Sequence, residues 1–198
     1  MKLYKTKYSN NFNLAFSTVL DAETTKITNN VNDAGGLTFC GITRRAFPNA
    51  SFWKLVDNGT IKINNNAPTN IVENEVADIY YNNFWNCYSL DDIDYKLAYE
   101  IFESAINIGP RNTIRNLQKS LNTLNFNTKT NTREFDDLTI DGLWGRNTRN
   151  RLLTYKSHVD FLTKAMNSLQ GTYYLDIANS NITNRTFVKG WLSKRVVL

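Results

Sequence analysis

Residues 93–124 read IDYKLAYEIFESAINIGPRNTIRNLQKSLNTL, and this stretch decides the fold. Leu97, Ala98, Ile101, Phe102, Ala105 and Ile106 recur at three- and four-residue spacing. They cover a broad apolar face of one helix over 93–108, the period a strand cannot show. Gly109-Pro110 ends it, and Pro110, which has no N–H to leave unpaired, suits the first turn of the next helix. Ile114, Leu117 and Leu121 point that second helix inward as far as about Leu124.

The same period spreads outward along the chain. Phe12, Phe16, Val19, Leu20 and Glu23 lie at helical spacings, with Asn10 or Asn11 available as a cap. Ser51–Asp57 forms a short helix closed by Asn58-Gly59, and another short one follows Thr43 and stops before Pro48. Asn74–Trp85 is a helix with Val76, Ile79, Tyr80 and Phe84 on one side. A helix over Asn147–Leu169 is followed by the segment Gly171–Thr183, and Asn184–Lys194 is the last helix. Extended structure is confined to a minor hairpin near residues 27–43. The class is all-α, with about eight helices. At 41% hydrophobic the chain can bury a sizeable core. We expect a segment 1–92 and a helical segment 93–198, packed as one structural unit.

Composition removes several chemistries. His158 is the single histidine, and the two cysteines, Cys40 and Cys87, lie far from it in sequence. A His/Cys zinc or iron site is excluded, and no cofactor is expected. No glycine-rich phosphate loop or Gly-x-Ser-x-Gly elbow occurs. Two cysteines cannot make a disulfide framework; thiols are favoured over a single bridge. No apolar run is long enough to span a membrane. The first residues, MKLYKTKYSNNFNLAF, carry no apolar core of signal-peptide length. A net charge of +5 with 13% aromatics is weak support for nucleic-acid binding, and no such motif is present. Asparagine occurs 29 times, which reads as composition bias rather than chemistry. Arg111, Arg115 and Lys119 form a basic stripe, either a solvated face or an attractor of anionic polymers. Trp144 and Trp191 are expected in the core, with Gly190 admitting a neighbouring helix.

The candidate for chemistry is Glu23, at the end of the first helix and followed by a turn-rich loop holding Asp33 and Thr38. Glycoside cleavage needs one protonated carboxyl group to donate to the leaving oxygen and a second polar group to organise water or stabilise positive charge. Phe16, Val19 and Leu20 behind Glu23 can raise its pKa by desolvation. Glu103 and Asn107 stand one turn apart in the apolar helix. They read as a hydrogen-bonded pair supporting the site from beneath, in preference to direct sugar contact.

Val19–Thr43, VLDAETTKITNNVNDAGGLTFCGIT, resembles the opening motif of glycoside hydrolase family 108, the phage- and prophage-type N-acetylmuramidases. Glu23 falls on the family's catalytic glutamate. Asp33, Gly35, Gly36, Thr38, Gly41, Ile42 and Thr43 fall on further pattern positions. Phe84-Trp85 and the run Phe102–Pro110 also match the pattern. Asp141-Gly142 with Gly145 and Thr148, and the ending Phe187–Leu192, are similar to the family's C-terminal peptidoglycan-binding-like segment. The sequence departs from the pattern at Thr24-Thr25-Lys26, where the family has Gly-Gly-Tyr, at Ala34 for Pro and at Cys40 for Tyr.

The resemblance implies a lysozyme-like compact fold. Residues 1–92 would be its catalytic segment, and residues 93–198 its wall-binding-like segment. It implies hydrolysis of the bond between N-acetylmuramic acid and N-acetylglucosamine in peptidoglycan. The Glu–Asp–Thr order is similar to that of phage-type lysozymes and implies Glu23 as general acid, Asp33 assisting and Thr38 holding a water. Glu103, Asn107 and Thr43 are implied in substrate binding or support. No metal is implied. The partner would be the glycan strand, with no nucleic acid and no integral membrane segment. Such an enzyme would be made in the cytoplasm and reach the wall through a holin, by lysis, or on a phage particle or secretion machine. The alternative is a catalytically weakened wall-binding or assembly protein of the same fold.

Overall fold

The computed structural model describes residues 1–23, 25–29, 36–155 and 158–196. Among them, eight helices and one three-stranded sheet make up the regular structure, so the chain is all-α with a minor β element. Two compact units divide the chain, Met1–Cys87 and Tyr88–Leu198.

In the first unit, α1 (Asn10–Ala22) starts at Ser9, whose hydroxyl accepts the Phe12 N–H at 3.1 Å. The cap is therefore the serine, one residue before the asparagines the sequence offered. Phe12, Phe16, Val19 and Leu20 are buried along one face. A short helix α2 (Phe52–Asp57) buries Phe52 and Trp53, and the Trp53 indole N–H donates to the Phe47 carbonyl at 2.7 Å. The expected helix after Thr43 is a series of turns, opened where the Thr43 hydroxyl accepts the Ala46 N–H at 3.3 Å.

The third helix, α3, runs over 69–85 and contains two wider turns, Val72–Val76 and Tyr81–Trp85. Val72, Val76 and Tyr80 are buried at four-residue spacing, and the next buried residue is Trp85. The wide turn adds one residue. It brings Trp85 into the core position that regular spacing assigned to Phe84. Trp85 meets Phe12 at 5.6 Å and Tyr80 meets Phe16 at 5.4 Å, both edge to face.

The sheet joins β1 (Ile27–Asn29), β2 (Leu37–Phe39) and β3 (Ile42–Thr43), all antiparallel in that order. Two residues, Cys40 and Gly41, connect β2 to β3, with φ of 50° and 77°. Positive φ at both central residues is the turn whose twist matches a hairpin.

In the second unit, α4 (Tyr95–Asn107) opens on Asp94, which accepts the Lys96 N–H at 2.9 Å. Gly109, at φ 84°, turns the chain into α5 (Pro110–Thr123). Both helices pack against α7 (Val159–Ser180). The boundary expected between Leu169 and Gly171 is absent: α7 passes straight through it. Leu162, Met166, Gln170, Tyr174 and Ala178 are buried along α7, and that burial outweighs the roughly 1 kcal/mol a helical glycine costs. The single long helix expected over 147–169 is instead α6 (Arg146–Thr154) and then α7.

The last helix, α8 (Arg185–Arg195), has no fully buried residue. Trp191, expected in the core, is half-buried and stacks on Tyr174 at 5.2 Å. Gly190 admits no neighbouring helix; nothing lies within 4 Å of where its Cβ would be. Trp144 is half-buried too, edge-on to Tyr88 at 5.7 Å.

Between α5 and α6 the chain is irregular, yet it is held by a ladder of side-chain amides. Asn122 donates to the Leu138 carbonyl and accepts its N–H, both at 2.8 Å. Asn125 does the same to Phe135, at 2.7 and 3.1 Å. Gln118 accepts the Gly142 N–H at 2.9 Å and donates to the Asp141 carboxylate at 2.8 Å. A side-chain amide presents N–H donors and a carbonyl acceptor side by side, so it can pair with a peptide group as a strand does. These asparagines are structural parts, not composition bias.

Candidate active site

Glu23 is the residue at which α1 ends. Its N–H still bonds the Val19 carbonyl at 2.9 Å, while its own backbone is extended at φ −84°, ψ 158°. The side chain is half-buried. It lines a hollow of the first unit with Tyr4, Ser17, Leu20, Asp21 and Thr25.

The turn at Cys40-Gly41 runs against this carboxyl group. A Cβ on Gly41 would stand 3.5 Å from Glu23 Cγ, 3.7 Å from its Cδ and 2.6 Å from Tyr80 Oη. Gly41 is thus required twice, by its positive φ and by a space that Tyr80 already fills. Tyr80 Oη donates to the Cys40 carbonyl at 2.9 Å. Reading outward, α3 supplies Tyr80, Tyr80 fixes the turn, and the turn's glycine borders Glu23. Sequence reasoning took Tyr80 as a core aromatic only, and its hydroxyl's partner had no sequence signal.

Thr38 on β2 pairs with Thr43 on β3, and Phe39 pairs with Ile42. Strand alternation puts buried Phe39 and Ile42 on one face and the half-buried threonines on the other. The Thr38 hydroxyl donates to the Gly36 carbonyl at 3.3 Å. Thr43 and Thr38 therefore flank the turn that borders Glu23. Asp33 lies outside the described residues, as do Thr24, Ala34 and Gly35.

Cys40 and Cys87 are both thiols. Cys40 is fully buried, and burial pushes its thiol up to about 12. A thiol so far from ionising is no nucleophile at neutral pH. Cys87 is exposed and donates to the Asn83 carbonyl at 3.0 Å.

Glu103 and Asn107 lie in the second unit. Glu103 Oε1 accepts from Asn107 Nδ2 at 2.7 Å and from Arg195 Nη1 at 2.9 Å; its Oε2 accepts from Gln170 Nε2 at 2.8 Å. The side chains of Glu103 and Arg195 are 5% and 10% exposed, so this is a buried ion pair. One turn earlier, Glu100 accepts from Asn167 at 2.7 Å and from Ser104 at 3.2 Å. Desolvation, then the neighbouring Glu103, pushes the Glu100 carboxyl up to about 8. Sequence analysis missed Glu100, Asn167, Gln170 and Arg195. Only the placement of polar residues in apolar helix faces hinted at the first three.

The matched turn at Asp141-Gly142 is likewise occupied. Asp141 accepts from Gln118 and from the Leu143 N–H, both of which hold its carboxyl below the usual range. Gln118 also donates to Thr148 at 3.1 Å. The stems of Arg111 and Arg115 lie over Gly142, where a Cβ would fall 2.7 and 2.9 Å from their Cγ atoms. Part of the basic stripe thus covers the turn.

Among the described residues no three His, Cys, Asp or Glu side chains gather as a metal site, and no helix is long and apolar enough to cross a membrane. Glu23 thus stands at a helix end, beside a short sheet and its tight turn, in a helical protein. Residues 16–109 match the model of glycosyl hydrolase 108, and residues 112–196 match that of a predicted peptidoglycan domain. Residues 16–109 are thus a glycosyl hydrolase 108 segment, a family of glycoside hydrolases, and a predicted peptidoglycan domain follows it, which together support a peptidoglycan hydrolase. No curated protein matches it. Among solved structures, that of Brucella abortus SagA shares the fold, with a TM-score of 0.58 and 22% identity over 92% of this chain and 88% of the other.

Proposed function

We propose that the protein is an N-acetylmuramidase, hydrolysing the β-1,4 bond from N-acetylmuramic acid to N-acetylglucosamine with Glu23 as general acid. In this reading the Glu23 carboxylic acid protonates the glycosidic oxygen as the bond to the anomeric carbon breaks. Water adds to that carbon and its proton is taken up by a carboxylate. Asp33 assists the positive charge or the water, Thr38 holds the water, and Thr43 supports Thr38 across the hairpin. Glu103 and Asn107 take a supporting role in the second unit, which carries the wall-binding function.

The observation that carries the proposal is the placement of Glu23, half-buried on a hollow and bordered by the Gly41 turn. A carboxyl group there is reachable by a sugar yet backed by apolar Leu20. Digestion of purified peptidoglycan followed by mass spectrometry of the new ends tests it. N-acetylmuramic acid at the new reducing ends is the expected product. New reducing ends of N-acetylglucosamine, or anhydro ends without added water, would replace it with another bond or another reaction. No new ends at all would favour a wall-binding protein.

A further inference from the structure

A cleft of the second unit lies between the segment pinned by the amide ladder and α6, and neither the mechanism nor the family match assigns it a ligand. Its walls include Phe135, Asp136 and Thr139 on one side and Arg146, Asn147 and Asn150 on the other. We infer that this cleft binds the peptide part of peptidoglycan, a short chain bearing free carboxylates, along residues 136–140. The inference rests on peptidoglycan being the partner, and it adds where and by which portion the polymer is held.

Three observations lead there. First, residues 136–140 run without helix, turn or bend, and the ladder grips the backbone only at Phe135, Leu138 and Gly142. The backbone N–H groups of Asp136, Asp137, Thr139 and Ile140 donate to nothing among the described residues. A backbone held in place with unused peptide groups is what a peptide ligand can pair with, as in recognition by strand addition. Second, the Arg146 guanidinium, the Asp136 carboxylate and the side-chain amides of Asn147 and Asn150 make no hydrogen bond or ion pair among the described residues, although all four line the cleft. Arginine matches a carboxylate with two parallel donors, and the amides match peptide groups. Third, one face of the Phe135 ring is taken: the Arg151 guanidinium sits 3.9 Å from its centroid, and that same side chain donates to the Asp136 carbonyl at 3.2 Å. A sugar stacked on that face would have to displace this contact, whereas peptide pairing leaves it in place.

The test is titration of the isotope-labelled full chain, followed by amide resonances, with two probes. One is the soluble stem peptide released from peptidoglycan; the other is the peptide-free disaccharide of N-acetylglucosamine and N-acetylmuramic acid. The expected result is that the peptide shifts residues 136–140 and 146–150 while the disaccharide does not. Arg146→Ala should weaken peptide binding about tenfold, the scale of one charge-assisted contact, with the rest of the spectrum unchanged. Thr139→Pro removes a backbone N–H without altering charge and should weaken it as well. Disaccharide shifting these residues, peptide binding unmoved by both variants, or no shift from either probe would each overturn the assignment. Because the titration does not read hydrolysis, its failure is separate from failure to cut peptidoglycan.

Discussion

Two regions of this molecule carry glutamates on apolar helices, and they differ in accessibility. Glu23 ends its helix half-buried on a hollow. Glu100 and Glu103 sit within α4, 5% and 4% exposed, and their oxygens accept from Ser104, Asn107, Asn167, Gln170 and Arg195. On sequence alone, Glu103 reads as a supporting residue and Glu100 is not singled out. The structure separates them. Acids that have neutralised their burial with so many partners are committed to holding three helices together. An acid on a hollow remains reachable by substrate.

The largest expected effect that could break this contrast is on stability. Arg195→Ala leaves Glu103 buried without its cation and should cost about 3–5 kcal/mol. It should also undock α8, seen as a lower melting temperature and lost protection of α8 amides in hydrogen exchange. A melting curve like that of the parent would show that the pair is not structural.

Next is pH dependence. Glu100 is raised from 4.5 to about 8, so the folded state holds the proton more tightly than the unfolded state does. Its contribution to stability is full below about pH 4.5, declines as pH rises toward 8 and is flat above. The slope reaches at most about 1.4 kcal/mol per pH unit. Glu100→Gln should flatten that decline, measured as denaturant midpoints at pH 5 and pH 8. An unchanged slope would mean that Glu100 is ionised in the folded protein.

Smaller still is Tyr80→Phe, which leaves the buried Cys40 carbonyl without its donor, at a cost of about 1–2 kcal/mol. Because the turn it holds borders Glu23, turnover on peptidoglycan should fall severalfold while wall binding, read by pull-down, stays put. A loss of stability with unchanged turnover would restrict Tyr80 to packing.

How much of this was legible beforehand depends on whether a local signal existed. The α4–α5 corner could be read because Gly109-Pro110 is both a stop and a start. Gly171 misled, because the apolar face that holds α7 together is visible only once its packing partners are known. Trp85 replaced Phe84 because a wide helical turn has no composition signature. Cys40 at positive φ was unreadable, since asparagine or glycine is the usual residue there. Of the candidate site, Glu23, Thr38 and Thr43 were found by pattern. Tyr80 and the reason for Gly41 were not, because both depend on a contact between α3 and the hairpin that no spacing encodes. Arg195 lies 92 positions from Glu103, too far for any periodicity to connect.

The claim that the chemistry belongs to Glu23 is tested most directly by the initial rate at which Glu23→Gln releases reducing ends from purified peptidoglycan, measured beside the parent protein. The amide keeps the shape and cannot act as the acid. The account predicts a fall of about 10²- to 10⁴-fold, the usual worth of general acid catalysis, with an unchanged melting curve. A rate within about tenfold of the parent would contradict it and move the acid to another residue.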